Sequence, residues 1–306
     1  MAALLIVVLI ALPLVLISPV RAHVPDSLSL TDWHWRPDVL LILVLFGSIF
    51  ARGWRFLRRR SIRVVSRSQL LLYLAGLISI GVALLSPIDG LASTLLSMHM
   101  VQHLLLLMIA PLFLLLANPL AAFLWGLPSG MRWNVGRLLT HASLFRYGLR
   151  ALTFMPAAWF IYVTNLWAWH HPALYQLALR NEWVHDLQHL LFFFTAIVFW
   201  WPIVNPAPRL HGLISYGYRI VYLIAATAQN TLLGMAISLP ERVLYPFYAM
   251  APRLRDLSPI SDQALGGGIM WVSGHMYLIP ILVLVAQLLI YEEKVYHKRA
   301  SREGLA

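Results

Sequence analysis

Long apolar segments dominate the chain, and polar residues are confined to the stretches between them. An α-helix needs about 20 apolar residues to cross a bilayer, whereas a spanning strand needs about 10 in alternation, a pattern that this sequence lacks. The apolar segments predict seven transmembrane helices, at residues 38–57, 68–85, 93–117, 151–169, 183–204, 213–239 and 265–291. We therefore expect an all-α fold, a polytopic membrane helix bundle.

One more apolar run, at residues 2–20, precedes these segments. It is followed by Arg21 and Ala22, and small residues at Val20 and Ala22 are typical of a signal-peptidase site. No lysine or arginine precedes the run, which is unusual for a signal peptide. Residues 1–22 are thus predicted to be either a signal peptide or an extra transmembrane helix, and residues 23–306 a seven-helix transmembrane domain.

Composition agrees with a membrane location, because 60% of the 306 residues are hydrophobic and only 11% are charged. This leaves too little polar surface for a soluble globule. The formal net charge of +11 lies largely in the connections between apolar segments. Basic connections remain on the cytoplasmic side of a membrane, so we interpret this charge as a topology signal and not as a nucleic-acid site.

The placement of the basic residues predicts an orientation. The arginines between residues 52 and 67 lie at the end of the first predicted helix and just after it, and alternation puts 118–150, Arg209 and the tail from Lys294 on the same side. All of these segments are basic, as the positive-inside rule requires. We therefore predict that the N-terminus of the mature chain lies outside, the C-terminus lies in the cytoplasm and the lipid bilayer surrounds the bundle.

Two pairs of histidines lie at the predicted outer ends of helices. His99 and His103 are in the first turns of the third predicted helix, and His185 and His189 are in the first turns of the fifth. Residues i and i+4 lie about 6 Å apart on one helix face, so each pair presents two imidazoles in one direction. His275 lies deeper, at about 15 Å of rise into the last helix, from which it would approach the pairs from beneath.

An imidazole inside a membrane needs a partner, and a carbonyl, a hydroxyl or water can satisfy a single one. The two pairs together with His275 favour a metal ion or a haem, and the candidate metal ligands are His99, His103, His185, His189 and His275. Possible additional ligands are Asp262, Met276, His170 and His171. Acceptors for the other ring nitrogens are available in Gln102, Asp186, Gln188 and Asp262.

The kind of metal depends on the ligands that the chain offers. The sequence has no cysteine, which excludes disulfides and thiolate ligands. Zinc would suit three histidines and a water. Copper fits better, because methionine thioethers can join imidazoles in binding Cu(I). Methionines in the outer halves of predicted helices are Met98, Met100, Met235, Met270 and Met276.

Three motifs follow one another in a distinctive order. The first is His-Met-Val-Gln-His at 99–103, followed by Pro111 and Asn118-Pro119. The second comprises 169–175, with its doubled histidine before proline, 185–189 and Phe-Trp-Trp-Pro at 199–202. The third is Asp-Gln-x-x-Gly-Gly at 262–267. Together they resemble the CtaG family of cytochrome c oxidase assembly factors, although the doubled histidine departs from the single one expected.

This resemblance implies a function and its partners. A protein similar to this family is expected to bind copper at the outer face of a bacterial cytoplasmic (inner) membrane and deliver it to the CuB centre of a haem-copper oxidase. Its partners would be the catalytic subunit of that oxidase and an extracytoplasmic copper donor. We do not expect an enzyme, because the chain has no cysteine nucleophile, and the glycines at 266–268 lack the lysine of a phosphate-binding loop.

Two alternatives remain open at this stage. A b-type haem protein would use histidines of facing helices as axial ligands, but it leaves the i+4 partners unexplained. A copper transporter would need polar or methionine groups continuing to the inner face, where the predicted helices offer few.

The glycines at 266–268 are predicted to let two helices approach closely.

Overall fold

A computed structural model describes residues 33–60, 65–140, 143–251 and 257–302 of the chain, with side chains up to residue 293. These ranges are helical and contain no strand, as predicted. The predicted signal peptide or extra helix lies outside them. The α-helices in chain order are α1 (Pro37–Arg59), α2 (Arg67–Leu85), α3 (Pro87–Ala92), α4 (Leu96–Leu104), α5 (Ala110–Leu116), α6 (Leu120–Gly126), α7 (Ser129–Leu138), α8 (Leu144–Leu152), α9 (Met155–His170), α10 (Pro172–Arg180), α11 (Glu182–Val204), α12 (Tyr216–Ser238), α13 (Pro246–Met250), α14 (Pro259–Gly274) and α15 (Leu278–Arg302).

Six helical segments in the described ranges are long and apolar enough to cross a membrane, and they make this a membrane protein. They are Pro37–Arg59, Arg67–Leu85, Leu96–Leu116, Glu182–Val204, Tyr216–Ser238 and Pro259–Glu293. The predicted count of seven is not confirmed. The remaining prediction, at 151–169, corresponds mainly to α9, which has only 16 residues. Pro156 near its start and Pro172 just beyond its end limit its length.

The third spanning segment is interrupted by a π-helical turn. Leu105–Ile109 separates α4 from α5, and the N–H of Ala110 donates to the carbonyl of Leu105, five residues earlier. Pro111 follows directly and has no N–H to donate. Such turns are frequent at functional sites, and this one lies just beyond His103.

The last spanning segment starts earlier than predicted and is broken in the middle. It consists of α14, a 3₁₀ turn at His275–Tyr277 and α15. Its first half packs against α12 and α4, and α9 packs against α11. These contacts bring the first turn of α4, the end of α9, the first turns of α11 and the first turn of α14 to one end of the bundle, which we call the histidine end.

Candidate metal centre

Five imidazole rings meet at the histidine end. His99 and His103 come from α4, His185 and His189 from α11, and His170 from the last turn of α9. The i,i+4 pairs have ring-centroid distances of 4.3 Å for His99–His103 and 4.1 Å for His185–His189. Across helices, His99 lies 5.1 Å from His185, and His103 lies 5.4 Å from His189 and 5.7 Å from His170. The predicted meeting of the two pairs is therefore seen in the structure.

Three of these rings form a tighter group. One ring nitrogen from each of His99, His103 and His189 lies within 4.8 Å of the other two. Nitrogens bound to a common ion at about 2.0–2.1 Å are separated by at most about 4 Å, so small side-chain movements would bring all three to one ion. We call His99, His103 and His189 the three-histidine group. His185 is only partly buried and borders it.

Hydrogen bonds fix which nitrogen of His99 can bind a metal. The Tyr248 hydroxyl donates to the carbonyl of Ala92 at 3.1 Å, which uses its one hydrogen. It can then only accept from His99 Nδ1, 2.8 Å away, so Nδ1 carries the proton. The lone pair of the neutral ring is therefore on Nε2, which is buried and has no hydrogen-bond partner among the described residues.

The protonated ring nitrogen of His170 can be identified in the same way. Its Nδ1 lies 2.7 Å from the carbonyl oxygen of Leu166, which can only accept a hydrogen bond. The proton is thus on Nδ1, and the buried Nε2 has the lone pair and no partner in the described ranges. Of the doubled histidines, His170 joins the cluster with 3% of its surface exposed, whereas His171 is exposed and points away from it.

His103 and His189 complete an unusual set of unsatisfied groups. Both ring nitrogens of His103 and Nε2 of His189 are buried without a hydrogen-bond partner among the described residues. A buried polar group left unsatisfied costs about 1–3 kcal/mol, and native proteins rarely leave several together. Two aromatic rings pack beside the group. The ring centroid of Phe192 lies 4.7 Å from that of His103, and the ring centroid of Tyr175 lies 5.2 Å from that of His99. Unpaired nitrogens that converge in a buried pocket are what a metal ligand set requires.

Asp262 supports the centre from behind and does not contact the rings. Its carboxylate accepts hydrogen bonds from the N–H groups of Leu96 at 2.6 Å and Ser97 at 3.2 Å, and from the Ser97 hydroxyl. It therefore caps the N-terminus of α4, one turn before His99. The sequence predicts Asp262 as a possible ligand or as an acceptor for a ring nitrogen, whereas in the structure its oxygens serve the helix backbone.

We expect Asp262→Ala to weaken metal binding by about 10-fold, because groups that position ligands typically contribute 10–100-fold to metal affinity. The variant leaves the first N–H groups of α4 without their acceptor, and the turn carrying His99 loosens. Titration of the purified protein with copper in the presence of a competing chelator measures the change. Ser261→Ala, one residue away on an exposed position of α14, serves as the control. Equal affinities for the two variants would contradict a positioning role.

Asp186 also has a different role from the predicted one. Its two carboxylate oxygens accept from Arg36 at 2.7 and 2.9 Å, and Arg36 also contacts Asp38 at 2.7 Å. Burial would lower the pKa of the Arg36 guanidinium, but the hydrogen bonds and charges of the two carboxylates outweigh it and raise that pKa. A bidentate pair of this kind is among the stronger polar contacts. It ties the start of α1 to the turn of α11 that carries His185.

The two glutamines behave differently from each other. Gln102 donates to the carbonyl of Ala83 at 2.9 Å and to Asp89 at 2.7 Å, so it links α4 to α2 and α3. The buried amide of Gln188 has no hydrogen-bond partner among the described residues. Neither glutamine accepts from a ring nitrogen here.

The structure does not bring His275 to the cluster. The buried face of this segment includes Gly267, Met270, Gly274 and Tyr277, and His275 lies on the opposite, exposed face. Its Nδ1 lies 3.1 Å from the carbonyl of Trp271. Met276 is partly buried and packs against the main hydrophobic core. Counting rise along the helix gave the depth of His275 but not the direction in which it faces.

Some contributors to the site were not predicted. Tyr248 belongs to α13, and its bond to His99 depends on a tertiary contact that sequence spacing does not contain. Tyr175 lies four residues after His171 and Phe192 three residues after His189, so a search for aromatic residues close to the predicted histidines would have found both. Asn165 and Thr195 link α9 to α11 by a hydrogen bond at 3.1 Å and help to align them.

Fold and site together define a helical membrane protein with a buried, cysteine-free histidine centre. The chain matches the family described as cytochrome c oxidase caa3 assembly factor (Caa3_CtaG) over residues 48–290, and it belongs to that family. The resemblance inferred from the three motifs is thereby confirmed.

Relatives with this similarity occur in mycobacteria. Uncharacterized proteins of Mycobacterium bovis and Mycobacterium tuberculosis are each 26% identical to the chain over 294 residues, covering 91% of the chain and 42% of the relative. One of Mycobacterium leprae is 24% identical over 282 residues, covering 88% and 41%. The chain thus spans about two fifths of the length of the curated relatives it matches. No solved structure matches it significantly.

Proposed function

We propose that this protein binds copper at the three-histidine group and supplies it to the CuB centre of the oxidase catalytic subunit during assembly. The observation that carries the proposal is the convergence of buried, unpartnered nitrogens of His99, His103 and His189 in a member of an oxidase assembly family. The family description names an assembly role and no reaction. We therefore treat copper as the cargo of the protein, not as a cofactor for catalysis.

The surroundings of the group favour copper over zinc or haem. Methionine side chains line the space beside His103, and thioethers bind Cu(I) well but suit zinc poorly. Ring centroids 4.1–5.9 Å apart put the imidazoles in mutual contact, which favours a single ion between them over a porphyrin. Neutral imidazole is the ligand form, and the hydrogen bond from His99 Nδ1 to Tyr248 already keeps Nε2 unprotonated.

Transfer to the oxidase would proceed by exchange of ligands. The ion arrives from the predicted outer face, is held by the three-histidine group, and passes to imidazoles of the oxidase subunit without a change in its oxidation state. The group offers three nitrogens, so a bound ion could also bind a further ligand from the oxidase subunit. His185, partly buried and 4.1 Å from the His189 ring, lies at the edge of the group and would receive or release the ion.

The proposal is tested in a bacterium whose own copy of the gene is deleted and replaced by variants. The double variant His103→Ala, His189→Ala is expected to be present in the membrane while the purified oxidase contains haem but lacks CuB. His171→Ala, at an exposed position beside the cluster, is the control and should restore full copper content. Oxidase with normal copper from the double variant, or from the deletion strain itself, would contradict the proposed function.

A further inference from the structure

A small cavity adjoins the three-histidine group on the side of the π-helical turn. Its lining combines two imidazoles with three thioethers, those of His103, His170, Met100, Met108 and Met270. All five side chains are buried, with at most 6% of their surface exposed. The cavity has a volume of about 20 Å³, enough for one water molecule or one ion and too small for an organic ligand.

We propose that this cavity is a second copper position, specific for Cu(I) and bound by thioethers together with His170. Methionine sulfur is a soft ligand that selects Cu(I) over zinc, calcium or magnesium. The Nε2 atom of His170 has its lone pair available, because Nδ1 donates to the Leu166 carbonyl. The inference rests on the proposed function, since it assigns a second place to the same cargo.

The residue that both positions share is His103. It belongs to the three-histidine group and also lines the cavity, and neither of its ring nitrogens has a hydrogen-bond partner in the described ranges. A neutral imidazole has one lone pair for a metal, so His103 can serve only one of the two positions at a time. When both positions are filled, His103 would bind the ion of the three-histidine group, and His170 with methionine sulfur would bind the ion in the cavity. A single ion would pass between the positions by exchanging His99 and His189 for His170 and methionine sulfur, with no electron transferred.

The backbone around the cavity has features that are typical of a binding site. Met108 lies within the π-helical turn Leu105–Ile109, a local geometry that is frequent at functional sites. The π turn follows immediately after the helix that carries His103. On the opposite wall, the carbonyl of Met270 accepts from the Asn230 amide at 2.6 Å, which fixes that part of α14 against α12. The thioethers are thus attached to backbone that other contacts hold in place.

The test uses the full chain, purified in detergent under anaerobic conditions and loaded with Cu(I). X-ray absorption at the copper edge distinguishes sulfur from nitrogen ligands, and elemental analysis gives the copper-to-protein ratio. The wild-type protein is expected to show sulfur ligands and more than one ion per chain. The double variant Met100→Leu, Met270→Leu leaves Met108 as the one thioether of the three, so it should lose most of the sulfur signal and one ion while keeping the nitrogen-bound ion. Leucine conserves volume, so folding should survive.

Met155→Leu is the matched control, because Met155 packs against the same hydrophobic core but does not line the cavity. It should leave both the sulfur signal and the copper ratio unchanged. A wild-type protein that binds one ion through nitrogen alone would overturn the second position and leave the proposed function standing. A wild-type protein that binds no copper at all would overturn both. A sulfur signal that persists unchanged in the double variant would likewise refute the assignment of these methionines.

Discussion

His103→Leu is expected to reduce copper affinity by more than about 100-fold, because changes to groups that merely support ligands already cost 10–100-fold. His103 is the central ring of the cluster, in contact with His99, His189 and His170. Its removal leaves two nitrogens in the three-histidine group and one imidazole at the neighbouring cavity. Competition with a chelator of known affinity measures the loss in the purified protein.

The same substitution should not destabilise the protein without metal. Two buried nitrogens without a hydrogen-bond partner among the described residues are replaced by an apolar side chain of similar size. Replacing a buried polar group that has no hydrogen-bond partner by an apolar group of similar size is neutral or stabilising, so we expect the melting temperature of the metal-free protein to stay equal or rise. This combination of lost binding and retained stability separates a ligand from a residue needed for packing.

His275→Leu provides the control for this prediction. The sequence predicts His275 as a ligand, whereas the structure gives it an exposed side chain away from the cluster. We expect this variant to bind copper with wild-type affinity. If His275→Leu lost as much affinity as His103→Leu, the three-histidine group would be the wrong ligand set.

The lengths of the apolar segments predicted the helices well wherever a helix crosses the membrane without interruption. Residues 38–57 and 183–204 correspond closely to α1 and α11, since apolar length alone defines such helices. Apolar length was a poorer guide where prolines interrupt or end a helix. Pro156 and Pro172 limit α9 to 16 residues, and the π turn before Pro111 divides the third segment. Apolar length does not register these breaks, because they depend on which backbone N–H groups are missing.

The site was predictable as far as helix geometry determines it. The i,i+4 spacing placed His99 with His103 and His185 with His189 on common faces, and both pairs do meet. Spacing could not show which way His275 faces, because that depends on the packing partners of α14 and α15. Nor could spacing show that Asp262 accepts hydrogen bonds from the N-terminus of α4, or that Asp186 pairs with Arg36.

The three consecutive glycines of α14 should differ sharply in their tolerance of a methyl group. A Cβ on Gly267 would lie 2.5 Å from the backbone nitrogen of Ser238 and 2.7 Å from the carbonyl oxygen of Gly234, both on α12. Backbone atoms cannot move aside as a side-chain end can. A Cβ on Gly268 would meet nothing within 4 Å among the described residues. The close helix approach predicted from the glycine motif is thus confirmed at Gly267 and does not involve Gly268.

Gly267→Ala is therefore expected to destabilise the protein by about 2–3 kcal/mol or more, since α12 and α14 must separate to admit the methyl group. Gly268→Ala should be neutral or stabilise by up to about 1 kcal/mol through helix propensity. Thermal unfolding in detergent, followed by tryptophan fluorescence, compares the two. Because α14 also carries Asp262 and Met270, Gly267→Ala should lower copper affinity as well, whereas Gly268→Ala should not. Identical melting temperatures for the two variants would show that the two helices do not pack through Gly267.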